Sequence, residues 1–120
     1  MGEYKKINEI EIFTQTLPDG SETLLAPFNY RGIHIPAGFN FDGASSPRIF
    51  WSIIPPFKQT KRASCVHDYL CRNAKNKEER ARADKIFKEA LIEMGLNPIR
   101  VTAGYWGVRI GAYFGVGNHF

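Results

Sequence analysis

The chain has 120 residues, a mass of 13.6 kDa and a formal net charge of +4. Hydrophobic residues make up 43% and charged residues 23%, which excludes a disordered, collagenous or coiled-coil chain. This length supports one domain with its own core, spanning 1–120, and excludes two.

Apolar runs are only a few residues long, so no segment makes a membrane-spanning helix. The opening MGEYKKINEIEIF lacks the apolar core of a signal peptide, so the expectation is a protein in the cytoplasm at synthesis. The charge is uneven. Residues 1–40 sum to −2 and residues 41–120 to +6. No dense Lys/Arg block and no nucleic-acid signature accompanies that bias.

The first 41 residues read mainly as strands. Ile10 and Ile12 alternate with Glu9 and Glu11 over Ile7 to Phe13. Pro18, Asp19 and Gly20 then make a turn, so 8–27 reads as a hairpin. Tyr30 to Ile35 alternates again, closed by Pro36 and Gly38. A glycine-containing loop, GFNFDGASSP, occupies 38–47.

Residues 44–115 read mainly as helices. Ser46 and Pro47 form a cap and first-turn pair, and Pro55 and Pro56 stop that segment. Thr60 is the predicted cap of a helix running to about Ala74. Asn76 is the predicted cap of another running to about Met94, with Gly95 after its end. Pro98 opens a last helix, along which Gly104, Gly107 and Gly111 form a smooth stripe for close packing. The aromatics Phe50, Trp51, Phe57, Tyr105, Trp106, Tyr113 and Phe114 are expected mostly in the core. IFWSIIPPF is the alternative: an apolar rim for a membrane or a partner protein. The expected fold is α+β: a small N-terminal antiparallel sheet (a hairpin plus a strand) packed with three to four helices.

The chemistry centres on His67. His34 is expected to face water and His119 to fray at the end of the chain. His67 lies mid-helix with Ala63, Ser64, Leu70 and Cys71 one turn away, all small or apolar. It therefore faces inward and needs a partner for its ring nitrogens. Asp84 falls inside the apolar stripe of the next helix, beside Phe87. A carboxylate there is costly unless paired. The short bend after Arg72 makes the two helices antiparallel neighbours, so His67 and Asp84 can meet. That pairing fixes one tautomer, as a general base requires.

Asp68 is turned about 100° from His67, towards the 38–47 loop. With Asp42 and loop carbonyls it forms a candidate hard-cation site, calcium above all. Cys65 and Cys71 stand about 9 Å apart along one helix, too far for a disulfide. They read as reduced, buried thiols. A Cys71 nucleophile beside His67 has the reach but no positioned oxyanion donors.

IPAGFNFDGASSPRIFW, the VHDYL helix and the ADKIF helix together resemble the phage and prophage family named domain of unknown function 1353. The resemblance spans about residues 31–115 and implies a viral or prophage origin. It implies no reaction. A His-Asp helix packed on an Asp-bearing helix, behind a glycine-containing loop, is similar to secreted phospholipases A2. That resemblance implies His67 as water-activating base, Asp68 as calcium ligand and Asp84 as the acid that orients His67. The chain departs from it at Ser64, Leu70 and Cys71, where the phospholipases carry two cysteines and a tyrosine. Two functions stay open. One is a hydrolase of a lipid, ester or phosphoester. The other is a non-catalytic phage accessory or virion-associated protein that binds a host or virion partner, with His67, Asp68 and Asp84 as a structural network.

Overall fold

The N-terminal alternation folds into short strands. The turn at Pro18–Gly20 is real. Gly20 takes a positive φ of 89°, and Asp19 Oδ1 accepts from the Ser21 amide at 2.9 Å. It joins β1 (Thr14–Thr16) to β2 (Glu22–Leu24), paired antiparallel with Gln15 opposite Thr23. A computed structural model describes residues 5–42, 57–118 and 120.

The sheet expected as one is two. β2 also pairs with β5 (Asn40–Phe41), giving the order β1-β2-β5. β3 (Phe28–Tyr30) and β4 (Ile33–Ile35) form a separate hairpin. Its two-residue turn, Arg31-Gly32, has φ of 50° and 79°, the positive pair that matches strand twist.

Ile7 to Phe13 is not a strand. Ile7–Glu9 forms a single 3-10 turn. The alternation of burial persists, with Ile10 and Ile12 more buried than Glu9 and Glu11. Burial alone produced that pattern, without a ladder. The segment is held instead by long-range bonds: the Ile7 amide donates to Glu93 Oε1 at 2.9 Å, and Arg62 Nε donates to the Ile10 carbonyl at 2.6 Å.

Three helices follow among the described residues: α1 (Phe57–Asn73), α2 (Lys77–Glu93) and α3 (Pro98–Tyr113). The expected helix start at Ser46-Pro47 lies outside them. Thr60 does not cap α1. The helix starts at Phe57, and Thr60 is buried inside it. Asn76 does cap α2, accepting from the Glu79 amide at 2.9 Å. Its other end closes as a Schellman motif, with Gly95 at φ 87° and the Leu96 amide bonded to the Leu91 carbonyl at 3.3 Å. Asn97, ahead of Pro98, caps α3 through the Arg100 amide at 2.9 Å.

α2 is the central helix, packed against both α1 and α3. Val66, Phe87, Leu91 and Val108 join Leu24, Phe28, Tyr30 and Phe41 in one core. Gly104 and Gly111 are buried with Val101 and Val108, so the glycine stripe does face the bundle. The aromatics of α3 do not behave as expected. Trp106, Tyr113 and Phe114 are exposed, and Trp106 and Tyr113 fall on the side of α3 opposite Val101, Gly104, Val108 and Gly111. Phe50, Trp51 and the Phe57 side chain lie outside the described residues.

Glu93, in the last turn of α2, ties the strand region to the helices. Its Oε1 accepts from the Ile7 amide and from Tyr30 Oη, the latter at 3.0 Å. Its Oε2 accepts from Arg31 at 3.1 Å. Burial, followed by the Glu93 hydrogen bond and charge, holds the Tyr30 phenol well above its ordinary pKa. Glu93→Ala leaves the buried Tyr30 hydroxyl unpaired and is expected to cost ~1–3 kcal/mol in urea unfolding. A loss within error of zero would show that the clamp carries no stability.

Candidate active site

His67 and Asp84 meet as the sequence predicts. His67 Nε2 lies 2.6 Å from Asp84 Oδ1 across the interface of α1 and α2. Side-chain exposure is 2% for His67 and 0% for Asp84. The Phe87 ring sits 4.8 Å from the imidazole, one turn beyond Asp84. Cys71 Sγ, one turn along α1, is 3.5 Å from the same Nε2. Nε2 is therefore the ring atom that faces both Asp84 and Cys71.

Asp84 has two further partners. Arg80 Nε donates to Oδ1 at 3.0 Å, and Arg109 Nη1 to Oδ2 at 2.8 Å. Arg80 is itself buried. Its Nη1 donates to the Val116 carbonyl at 2.6 Å and to Asn118 Oδ1 at 2.8 Å, and its Nη2 to the Val108 carbonyl at 3.2 Å. One carboxylate thus joins α1, α2, α3 and the chain after α3. Sequence reasoning missed both arginines. Arg80 had a signal: it lies four residues before Asp84, where the buried stripe of α2 extends one turn back. Arg109 had none.

Asp68 also reaches the loop. It is 1% exposed, and its Oδ2 accepts from the Asp42 amide at 3.2 Å. Asp42 itself is exposed. Residues 43–47 of the loop lie outside the described residues. His34 faces water as expected, its Nδ1 2.6 Å from Asn29 Oδ1. His119 lies outside the described residues. Cys65 and Cys71 are free and buried, as expected.

A family model, described as "Protein of unknown function (DUF1353)", matches residues 22–108. The chain belongs to that family. A relative in Sinorhizobium fredii (strain NBRC 101917 / NGR234), "Uncharacterized protein y4jT", is 51% identical over 39 residues. That match covers 31% of this chain and 12% of the relative, so the chain spans only a small part of that protein's length. No solved structure matches. The DUF1353 match takes in Asp42, His67, Asp68, Arg80 and Asp84, and ends one residue before Arg109.

Electrostatics divides these residues into two unlike halves. His67, Cys71 and Asp84 lie within 4.8 Å of one another and offer nitrogen, sulfur and oxygen ligands. The guanidinium groups of Arg80 and Arg109 on Asp84 set two positive charges where a cation would bind, so this cluster does not fit a metal. Asp68 and Asp42 are both oxygen donors, joined by the Asp42 amide on Asp68 Oδ2 at 3.2 Å. Cavities of about 610 Å³, beside Leu70 and Ala83, and about 230 Å³, beside Arg80 and Arg109, include neither His67 nor Asp84 in their linings.

Burial opposes the charged imidazole of His67, while Cys71 and Asp84 favour it and prevail, raising its pKa to about 9. In the unfolded chain it titrates near 6.5. The folded state therefore holds the extra proton between those values. Stability from this site is full below about pH 6.5 and falls as pH rises through about 9. Urea midpoints from pH 6 to pH 10 should show that fall, and His67→Gln should flatten it. A flat native profile would contradict the raised pKa. Asp84→Ala should cost ~3–5 kcal/mol, since it leaves Arg80 buried without its carboxylate.

Proposed function

We propose that this chain is a small hydrolase in which His67 activates a water molecule against an ester or phosphoester. The observation that supports this most is the buried 2.6 Å bond from His67 Nε2 to Asp84. It fixes the tautomer and turns Nδ1 into the base. Nδ1 takes a proton from water as the water oxygen bonds to the carbonyl carbon or phosphorus. The same proton then passes to the leaving alkoxide as the scissile bond breaks. Asp84 touches no substrate. It is a positioning residue, held in turn by Arg80 and Arg109.

In this reading Asp68 and Asp42 hold calcium together with loop carbonyls. An ion held there would supply positive charge for a developing oxyanion. The proposed setting is phage or prophage biology, supported by the family resemblance. Synthesis in the host cytoplasm and association with a virion or host protein belong to the same proposal. Among the described residues no helix is long and apolar enough to cross a membrane.

With a base pKa near 9, only about 1% of His67 is neutral at pH 7. Hydrolysis should therefore rise nearly tenfold per pH unit from pH 6 and level off near pH 9. His67→Gln should lower the rate ~10²–10⁴-fold, and Asp84→Asn by a similar factor through loss of the tautomer. The assay uses nitrophenyl esters, nitrophenyl phosphoesters and phospholipid, with calcium or EDTA. Turnover unchanged in His67→Gln would refute the base assignment.

A second reading is favoured by the double guanidinium clamp on Asp84. There the buried network serves only to lock three helices and the tail, and the protein acts by binding a partner. Under that reading His67→Gln lowers the melting temperature and changes no reaction rate.

A further inference from the structure

α3 is apolar on both sides, which a helix packed on only one side does not need. Its inner side is Val101, Gly104, Val108 and Gly111. On its outer side Ile99 is 81% exposed, Trp106 58%, Ile110 51% and Tyr113 84%. At 100° per residue these four fall within about 60° of arc. Phe114 extends the patch past the helix end, 73% exposed. Five large apolar side chains form one stripe of the kind that marks an interaction surface.

The surroundings of the stripe are basic. From Met94 to Phe120 the chain carries Arg100 and Arg109 and no Asp or Glu. Lys88 lies 5.0 Å from the Tyr105 ring, along one edge. At the far end, Lys77, Arg80, Arg109 and Tyr113 help line the cavity of about 230 Å³, which has no acidic residue in its lining. Arg80 and Arg109 are both committed to Asp84, whereas Lys77 is exposed.

We infer that this face of α3 docks on an anionic lipid bilayer, with Trp106, Ile110 and Tyr113 at the headgroup boundary and Lys77 and Lys88 on lipid phosphates. Charge decides between occupants. A second copy docked two-fold would bring the patch against itself, so Lys77 and Lys88 would meet their own copies, while Arg109 is already offset by Asp84. An anionic bilayer supplies both missing components: negative charge at its surface and an apolar layer roughly 5–10 Å deep for the aromatic and aliphatic stripe. The docking stands without the hydrolase. If both hold, which rests on that proposed activity, the substrate is a phospholipid in its own membrane.

The test uses the full chain carrying Trp51→Phe, so that Trp106 is the only tryptophan. Vesicles of phosphatidylglycerol and phosphatidylcholine in equal parts should co-sediment with it and shift Trp106 emission to the blue. Pure phosphatidylcholine should do neither, and high salt should reverse the binding. Ile110→Asp with Tyr113→Ser should abolish binding while the melting temperature holds. Lys77→Gln with Lys88→Gln should weaken it about thirtyfold, at about 1 kcal/mol per base. Absence of binding to anionic vesicles overturns the inference. So does a concentration-dependent dimer lost in Ile110→Asp, which would assign the face to a second copy. His67→Gln should bind vesicles as the parent does. Binding by both without lipid hydrolysis keeps the docking and removes phospholipid as the substrate. Lipid hydrolysis without binding removes the docking alone.

Discussion

A single carboxylate organises the helical half of this molecule. Asp84 has no exposed surface and three cationic or protonated partners, one each from α1, α2 and α3. Removing a charge from water costs several kcal/mol before any partner is counted. That cost is offset only if the partners arrive together and in register. The packing of α2 between its neighbours is therefore coupled to one atom pair at each interface. Arg80 extends the coupling beyond the helices, since it also satisfies the Val108 and Val116 carbonyls. An apolar residue at 84 would pack with less desolvation cost. What the carboxylate adds is a fixed geometry for His67.

That geometry carries a tension. A carboxylate clamped by two guanidinium groups has less charge to lend an imidazolium than a free one. Yet Asp84, with Cys71, still outweighs burial at His67. The ring is thus a strong base that spends most of its time protonated near neutral pH. A structural network gains from this, because the imidazolium is an added cross-link. A water-activating site loses by it, because the neutral form is scarce. The two proposed functions pull on one titration in opposite directions.

The dyad was legible in the sequence because it rests on two short-range facts. His67 sits among small and apolar neighbours one turn away, and Asp84 interrupts an apolar stripe. Helical periodicity alone brings both inward. The contact of Asp68 with the loop was legible by the same rotation argument. The Asn76 cap and the Gly95 stop were legible because each residue has a specific backbone role. What failed was whatever depended on a partner far along the chain. Ile7 to Phe13 alternates like a strand, but its amides bond to Glu93 and its carbonyls to Arg62 and Leu25. Burial periodicity shows which side faces in and cannot show where the ladder is. Arg109 was invisible because nothing within one helical turn of it marks its side chain as a clamp.

The aromatics of α3 failed for a more informative reason. Large apolar residues at helical spacing ordinarily belong to a core, and the prediction followed that rule. The helix side on which they stand overrode it. Gly104 and Gly111 share the buried side of α3 with Val101 and Val108, and Trp106 and Tyr113 fall on the opposite side. Each glycine also costs ~1 kcal/mol of helix propensity relative to alanine. The helix therefore pays twice, once in propensity and once in exposed apolar surface. Nothing inside the described residues accounts for the second. An outer surface that retains Ile99, Trp106, Ile110 and Tyr113 in one arc, with no acid from Met94 onward, is best explained by something outside the chain that is both apolar and negatively charged.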